Sequence, residues 1–244
     1  MTTLHDDYKL LENKLLHVKQ LFMQSNESIH KARNELRIIE LDEQKMVVKS
    51  FKIPHLLNRF VYSFFRKSKA YKSYHNALKL LELNVNTPKP VALIQNYDFF
   101  LLRESYFISL YEPYDFTIRE AFHHKIEDYK EVIKAFVAFT YNLHVKGIWH
   151  EDYSLGNILI TRQKEGYRFA LVDINRMKFM SISAEKGCEN FSKLWAQEED
   201  LVLMAQEYAQ LSGLSAEKSL NLIHYHVQRV KDKKALKQKF EKLR

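Results

Sequence analysis

The chain has a single cysteine, Cys188, among 244 residues, so it can form no internal disulfide and offers no thiolate set for a metal. That usage fits a reducing compartment. No uninterrupted apolar stretch approaches the ~18 residues that a membrane span needs. The opening MTTLHDDYKLLENKLL lacks the basic-then-apolar layout of a signal peptide, and the expected location is cytoplasmic. Glycine is scarce: there are five, and none precedes Gly147. A glycine-rich phosphate loop is therefore excluded from everything before that position. Repeats and low-complexity linkers are absent as well.

What is present describes an ordinary globular chain with a basic surplus. Hydrophobic residues make up 46% and aromatics 13%, which argues against disorder. The length suffices for one large domain or two lobes with a sizeable core. The net charge of +8 favours an anionic partner: phosphate, nucleic acid or an acidic membrane surface.

Residues 8–23, YKLLENKLLHVKQLFM, carry apolar residues at helical spacing. NELRIIEL and QKMVVKSFK flank the polar pair Asp42-Glu43 and predict an antiparallel hairpin. A helix is expected over Ser68 to Leu83, broken by the prolines of the stretch from Asn84 to Pro90. VALIQ and DFFLLRESYFISLY read as strands ending at Glu112-Pro113. DYKEVIKAFVAFTYNLHVKG is a long helix closed by Gly147. ILITRQKEGYRFALVDI predicts a second hairpin around Glu165-Gly166, and the chain is mainly helical from Ala184 onward. Strands thus dominate the first hundred residues and helices the rest. The expected architecture is α+β and bilobal. A β-rich lobe (residues 1–110) joins a helical lobe (residues 111–244) near Tyr111–Tyr114, with a cleft between them.

Three separated pieces suggest one chemistry. MVVKSFK puts Lys49 on the last strand of the first hairpin. HEDYSLGN puts Asp152 and Asn157 five positions apart in a loop that runs into the apolar strand ILI. LVDINR puts Asp173 at the end of a strand. Phosphoryl transfer from ATP needs this division of labour. A fixed cation holds the phosphates, a carboxylate accepts the hydroxyl proton, and an amide and a second carboxylate hold magnesium (Mg2+). A lone lysine in a strand is nearly always a solvated edge residue. The three pieces in this order, on these elements, are far more specific, and the D-x-x-x-x-N spacing is that of a kinase catalytic loop.

Taken together, ELRIIEL, VVKSFK, LNRFVYSFFRKSKA, LELNVNTPKPVALI, HEDYSLGNILI and LVDINRMKF resemble the lipopolysaccharide kinase family (Kdo kinase and core-heptose kinase), a branch of the protein-kinase-like fold. The resemblance covers most of the chain. It implies an ATP-dependent sugar kinase acting on the lipopolysaccharide core or a lipid A precursor. In that family pattern Asp152 is the catalytic carboxylate and Asn157 and Asp173 hold magnesium. Lys49 holds the ATP phosphates, and Tyr111, Glu112 and Tyr114 belong to the adenine-contacting hinge. His150 is expected to buttress the loop backbone rather than transfer protons.

The sequence also departs from the kinase pattern. The turn near His30 to Asn34 must close over ATP without glycine. By helical register His75 stands where the family has the glutamate that pairs with the lysine, and imidazole is a poor substitute for a carboxylate. Either Glu82 or the phosphates alone would then hold Lys49, and glutamate at position 75 is expected to improve ATP binding. Glu151 replaces the arginine of H-R-D, and no A-P-E follows Asp173, so a small-molecule or glycolipid hydroxyl suits the chain better than a peptide. A soluble kinase of the aminoglycoside or choline type and a non-catalytic pseudokinase are the alternatives.

NRFVYSFFRKSKAYK interleaves basic and aromatic residues. Docking to an anionic membrane surface and an aromatic face packed on the core weigh about equally, with single-stranded nucleic acid a distant third. The tail VKDKKALKQKFEKLR predicts a surface helix with Leu236, Phe240 and Leu243 on one face. His123-His124 and His224-Tyr225-His226 lack partners at zinc-site spacing and are taken as structural.

Overall fold

A computed structural model describes residues 1–31, 34–51 and 67–242, the side chains of 29–34 and of residue 242 excepted. The chain divides into two compact units: residues 1–113 with 173–175, and residues 114–172 with 176–244.

The first unit is built on a six-stranded antiparallel sheet of order β1-β5-β6-β4-β3-β2. Its strands are β1 (Thr2–Leu4), β2 (Ser28–Lys31), β3 (Asn34–Leu41), β4 (Gln44–Phe51), β5 (Pro90–Asp98) and β6 (Leu101–Leu110). The β3–β4 hairpin has the expected register, with Leu41 opposite Gln44. Its corner residues Asp42 and Glu43 take φ of +49° and +62°, the mirror-image turn whose twist matches that of the strands. The sequence carried one strand through Phe99 and Phe100. Here the chain instead makes a second tight turn at these two residues, with φ of +44° and +65°. Asp98 pairs with Leu101 across it, and both phenylalanine rings face solvent. The four apolar residues after Asp98 look like strand to a local reading. Pairing with β5 over the length of β6 decides where the corner falls.

A similar correction applies near the start. Residues 8–23 form not one helix but a 3₁₀ turn (Asp6–Leu11) and two short helices, α1 (Glu12–Leu15) and α2 (Val18–Gln24). The backbone leaves helical geometry at Tyr8 (φ −118°, ψ 16°) and at His17 (φ −96°, ψ 20°). Tyr8, Leu11, Leu15, Val18 and Phe22 nonetheless share one core cluster with Val48, Ile94, Tyr106 and Ile108 of the sheet. The apolar spacing thus gives the buried face correctly but not the continuity of the backbone. Arg37 closes the segment by donating to the carbonyls of Phe22, Met23 and Ser25 at 2.8, 3.2 and 3.0 Å, satisfying groups that a helix end leaves open.

Helix α3 (Lys69–Glu82) starts at Ser68, whose hydroxyl accepts the Tyr71 N–H at 3.0 Å, an N-cap. Ala70, Ser73, Tyr74, Ala77 and Leu80 form its buried face, against β4, β5 and β6. Asn84, at φ +52°, ends it in the left-handed region.

The second unit is mainly helical. It contains α4 (Ile118–Phe122), α5 (Tyr129–Val145), α6 (Ala184–Gly187), a 3₁₀ segment (Cys188–Lys193), α7 (Glu198–Ser212) and α8 (Ala216–Lys242). A three-stranded sheet joins β7 (Phe116–Thr117), β9 (Ile158–Arg162) and β10 (Tyr167–Leu171), and a two-stranded ribbon pairs β8 (Ile148–His150) with β11 (Met177–Phe179). Val132, Ile133, Phe136 and Val137 of α5 are fully buried. The Phe136 ring stacks on Tyr153 with centroids 5.5 Å apart. Gly147, at φ +70°, closes α5 and sits where a Cβ would meet the Met180 carbonyl oxygen at 2.8 Å. Leu236 and Phe240 on α8 are exposed. Leu243, and all of the basic-aromatic stretch before Lys67, lie outside the described residues. Among the described residues no helix is long and apolar enough to cross a membrane.

Candidate active site

In the first unit β4 delivers Lys49, and Asp173 follows β10 by two residues. β4 is paired on both sides, with β3 and β6, so Lys49 stands on an interior strand and is only 8% exposed. A buried ammonium group needs a counter-charge. Lys49 Nζ finds it at Asp173 Oδ1, 2.5 Å away. Asn175 Nδ2 donates to the same oxygen at 2.6 Å. Asp173 takes φ +54°, a conformation that aspartate tolerates at some cost and that tends to collect at functional sites. Asn76 of α3 fixes the following residue by donating from Nδ2 to the Ile174 carbonyl at 2.7 Å.

The helix register therefore differs from the sequence expectation by one residue. His75 is solvent-facing, packed on Tyr71 with ring centroids 4.0 Å apart. Burial and the nearby Lys67 charge push its pKa down. Glu82 pairs with Lys79 at 3.0 Å. Neither serves Lys49, whose counter-ion is Asp173. The turn expected near His30 to Asn34 includes residues 32 and 33, which lie outside the described residues.

In the second unit, β8 ends at His150 and the polar loop begins. Tyr153, Leu155 and Ile158 are buried, which anchors the loop at intervals and leaves Asp152 and Asn157 half-exposed between the anchors. Tyr153 bonds Thr140 Oγ1 through its hydroxyl at 2.8 Å, and burial pushes its phenol far up. His150 Nδ1 accepts the Asp152 N–H at 3.1 Å, which leaves the proton on Nε2, 3.1 Å from the Val172 carbonyl oxygen. The imidazole thus ties the loop to the end of β10. Asn157 donates from Nδ2 to the Asp152 carbonyl at 2.8 Å, and the Val172 N–H donates to the Asn157 carbonyl at 3.0 Å.

The carboxylate of Asp152 is not alone. Arg176 Nη1 stands 3.3 and 3.1 Å from its two oxygens. Lys193 Nζ lies 3.8 Å from Oδ1 and donates to the Glu151 carbonyl. Glu151 itself pairs with Lys178 at 2.5 Å. Sequence reasoning missed Asn76, Asn175, Arg176 and Lys193. Asn175 and Arg176 lie within DINR, a string whose first residue alone had a role. Lys193 lies far along the chain from the loop with no local pattern to mark it.

The expected residues thus fall into two groups. Lys49 and Asp173 meet in the first unit; Asp152 and Asn157 meet in the second. Tyr111 donates its N–H to the Lys45 carbonyl at 2.9 Å, and the rings of Tyr111 and Tyr114 are exposed. Asn157 commits its Nδ2 to the loop, so what it can offer a cation is Oδ1. An amide oxygen such as that of Asn157, and a carboxylate such as that of Asp173, are each hard donors of the kind magnesium takes. Away from these residues, His124 lies 3.1 Å from both oxygens of buried Asp200 and 3.6 Å from Glu199, so that one ligand atom from each of the three lies within 4.8 Å of the others, a grouping that the sequence spacing did not show.

No protein-family model and no curated protein sequence matches the chain. Among solved structures, WaaP in complex with acyl carrier protein aligns over 95% of this chain and 98% of its own, at 12% identity and a TM-score of 0.65. Two structures of WbdD align less well. The one with a kinase inhibitor gives 15% identity and a TM-score of 0.49 over 82% of this chain and 44% of its own. The one described as a bifunctional kinase-methyltransferase gives 14% and 0.48 over 80% and 43%. The likeness to WaaP is one of fold over nearly the whole of both chains. The α+β class expected from the sequence, strands first and helices after, is the class found.

Proposed function

We propose that this chain is an ATP-dependent kinase that phosphorylates a sugar hydroxyl of the lipopolysaccharide inner core, Kdo or heptose. The observation that carries the reading is the pairing of Lys49 with Asp173 at 2.5 Å, across 124 positions of sequence. Those are the two residues that the family pattern assigns to the phosphates and the metal. The long fold likeness to WaaP supports it. Residues 1–110 would bind the ATP phosphates, and residues 111–244 would carry the catalytic loop and, at Tyr111, Glu112 and Tyr114, the adenine contact.

In this mechanism Lys49 holds the α/β-phosphates and Asp152 orients the acceptor hydroxyl and takes its proton. Asn157 and Asp173 would hold magnesium, which neutralises charge on the transferred phosphoryl group when bound. His150 keeps the Asp152 backbone in place through Nδ1. The Asp173–Lys49 contact gives the ammonium group a resting position, so no separate helix glutamate is needed to fix it before ATP binds. An acyl carrier protein, the partner seen with WaaP, is a candidate partner here, and the basic chain is suited to peripheral contact with an anionic membrane face.

Asp173→Ala should abolish magnesium-dependent ATP turnover. Wild-type turnover in that variant would sink the assignment. A melting curve that ATP shifts only with magnesium, coupled to turnover, separates a kinase from a pseudokinase. Turnover on soluble aminoglycosides or choline, with none on core glycolipid, would favour the small-molecule alternative. Deleting the gene and weighing the lipopolysaccharide core tests the acceptor directly, by a missing phosphate.

A further inference from the structure

We propose that Arg176 and Lys193 form an anion seat beside Asp152, so that the acceptor carries a carboxylate or phosphate close to the hydroxyl that is phosphorylated. The inference rests on the kinase reading and adds to it the charge of the substrate and the residues that select it.

Three observations support the seat, all within the second unit. First, among the described residues the charge does not balance. Arg176, Lys178 and Lys193 gather about Asp152 and Glu151, three cations against two carboxylates. Lys178 is matched by Glu151 at 2.5 Å, which leaves Arg176 and Lys193 to share the single carboxylate of Asp152. An anion entering there restores the balance. Second, the contacts to the Asp152 carboxylate itself are loose, and the closer bond of Lys193 goes to the neutral Glu151 carbonyl. The Arg176 nitrogen stands 3.1 and 3.3 Å from the Asp152 oxygens, and Lys193 at 3.8 Å, against the ~2.8 Å of a strong charge-assisted bond. Arg176 is 60% exposed at its side chain, so its guanidinium can turn to a ligand while Asp152 turns to a hydroxyl. Third, Lys193 is mounted on a rigid base. Its 3₁₀ segment is held by Asn190, whose Nδ2 donates to the His150 carbonyl at 3.2 Å and whose Oδ1 meets His144 Nε2 at 2.9 Å. His144 Nδ1 in turn meets Tyr208 Oη at 2.9 Å, and all three side chains are buried.

The seat is assigned to the acceptor rather than to ATP. Both cations converge on the carboxylate that must face the acceptor hydroxyl, whereas the phosphates have Lys49 and the metal-binding pair. A neutral sugar would leave the surplus charge unmatched, so the seat discriminates by charge.

The experiment uses the intact chain with three acceptor probes. These are a Kdo-bearing lipid A precursor, the same compound with its carboxylate converted to a neutral amide, and the same compound with its phosphates removed. Arg176→Gln, Lys193→Gln and the double variant are compared with wild type, and thermal melts confirm folding. Wild type should discriminate against one of the two neutralised probes, and which one identifies the anion as carboxylate or phosphate. In the double variant that discrimination should fall about ten- to a hundredfold in kcat/KM, the range of one charged hydrogen bond, while KM for ATP stays constant. Arg176→Lys and Lys193→Arg should restore most of it. Unchanged discrimination in the double variant, a rise confined to KM for ATP, or equal use of all three probes by wild type would overturn the seat. Equilibrium binding of the three probes separates this failure from failure of the kinase reading. If no acceptor is phosphorylated but the double variant still loses charge-selective binding, the seat stands and the kinase reading falls. If binding shows no charge selectivity, the seat falls.

Discussion

Lys49 and Asp173 stand 2.5 Å apart and pair a largely buried ammonium group with a carboxylate held at positive φ. Breaking either side leaves a charge without its partner. In a double-mutant cycle of Lys49→Met and Asp173→Ala, urea unfolding should give a coupling of about 1 kcal/mol. Asp173 is 34% exposed, so the value should lie well below that of a fully buried pair. A coupling within error of zero would mean that the two do not hold each other in the resting protein.

Asn76 and His75 are neighbours on α3 with opposite expectations. Asn76→Ala removes the bond to the Ile174 carbonyl beside Asp173, and turnover should fall about three- to tenfold, as for one neutral hydrogen bond. His75→Ala and His75→Glu should both leave turnover within about twofold, because position 75 faces solvent and Asp173 already holds Lys49. Improved ATP binding in His75→Glu would restore the register first read from the sequence.

Gly187 is packed against the chain of bonds that supports Lys193. A Cβ there would overlap Tyr208 Oη and come within 2.6 Å of His144 Nδ1. Gly187→Ala should therefore cost about 2–4 kcal/mol in urea unfolding, through overpacking and the loss of a buried hydrogen bond. Gly166→Ala, where nothing lies within 4 Å, meets only the strain of φ +75° and should cost about 1 kcal/mol. Equal losses at the two positions would contradict this packing.

Burial lowers the pKa of His144 below its ordinary 6.5, although the bond to Asn190 opposes the shift. The unfolded chain then takes up a proton at higher pH than the folded one. Stability should fall as pH drops below 6.5, and His75 and His226, also lowered by burial, add in the same direction. Urea unfolding between about pH 7 and pH 5 measures the slope. His144→Phe should be less stable throughout but show a shallower slope; an unchanged slope would remove His144 as a contributor.

Features set by neighbouring residues were legible in the sequence. The Asp42-Glu43 corner, the start of α3 near Ser68, the Gly147 stop and the buried face of residues 8–23 all follow from turn chemistry and apolar spacing, which act over a few positions. The polar loop from His150 to Asn157 was legible for the same reason, its apolar and polar residues alternating within one short stretch. Tertiary structure decided the rest. Periodicity gives which side of a helix is buried but not whether the backbone runs unbroken, so the kinks at Tyr8 and His17 came from packing. Nor could it settle whether position 75 or 76 faces the segment after Asp173, because one residue turns a helix face by about 100°. Which acid neutralises Lys49, and which cations reach Asp152, depend on pairs separated by 124, 24 and 41 positions. Such pairs meet only when separate elements pack, and the energy that selects them belongs to the assembled core rather than to any local run of residues.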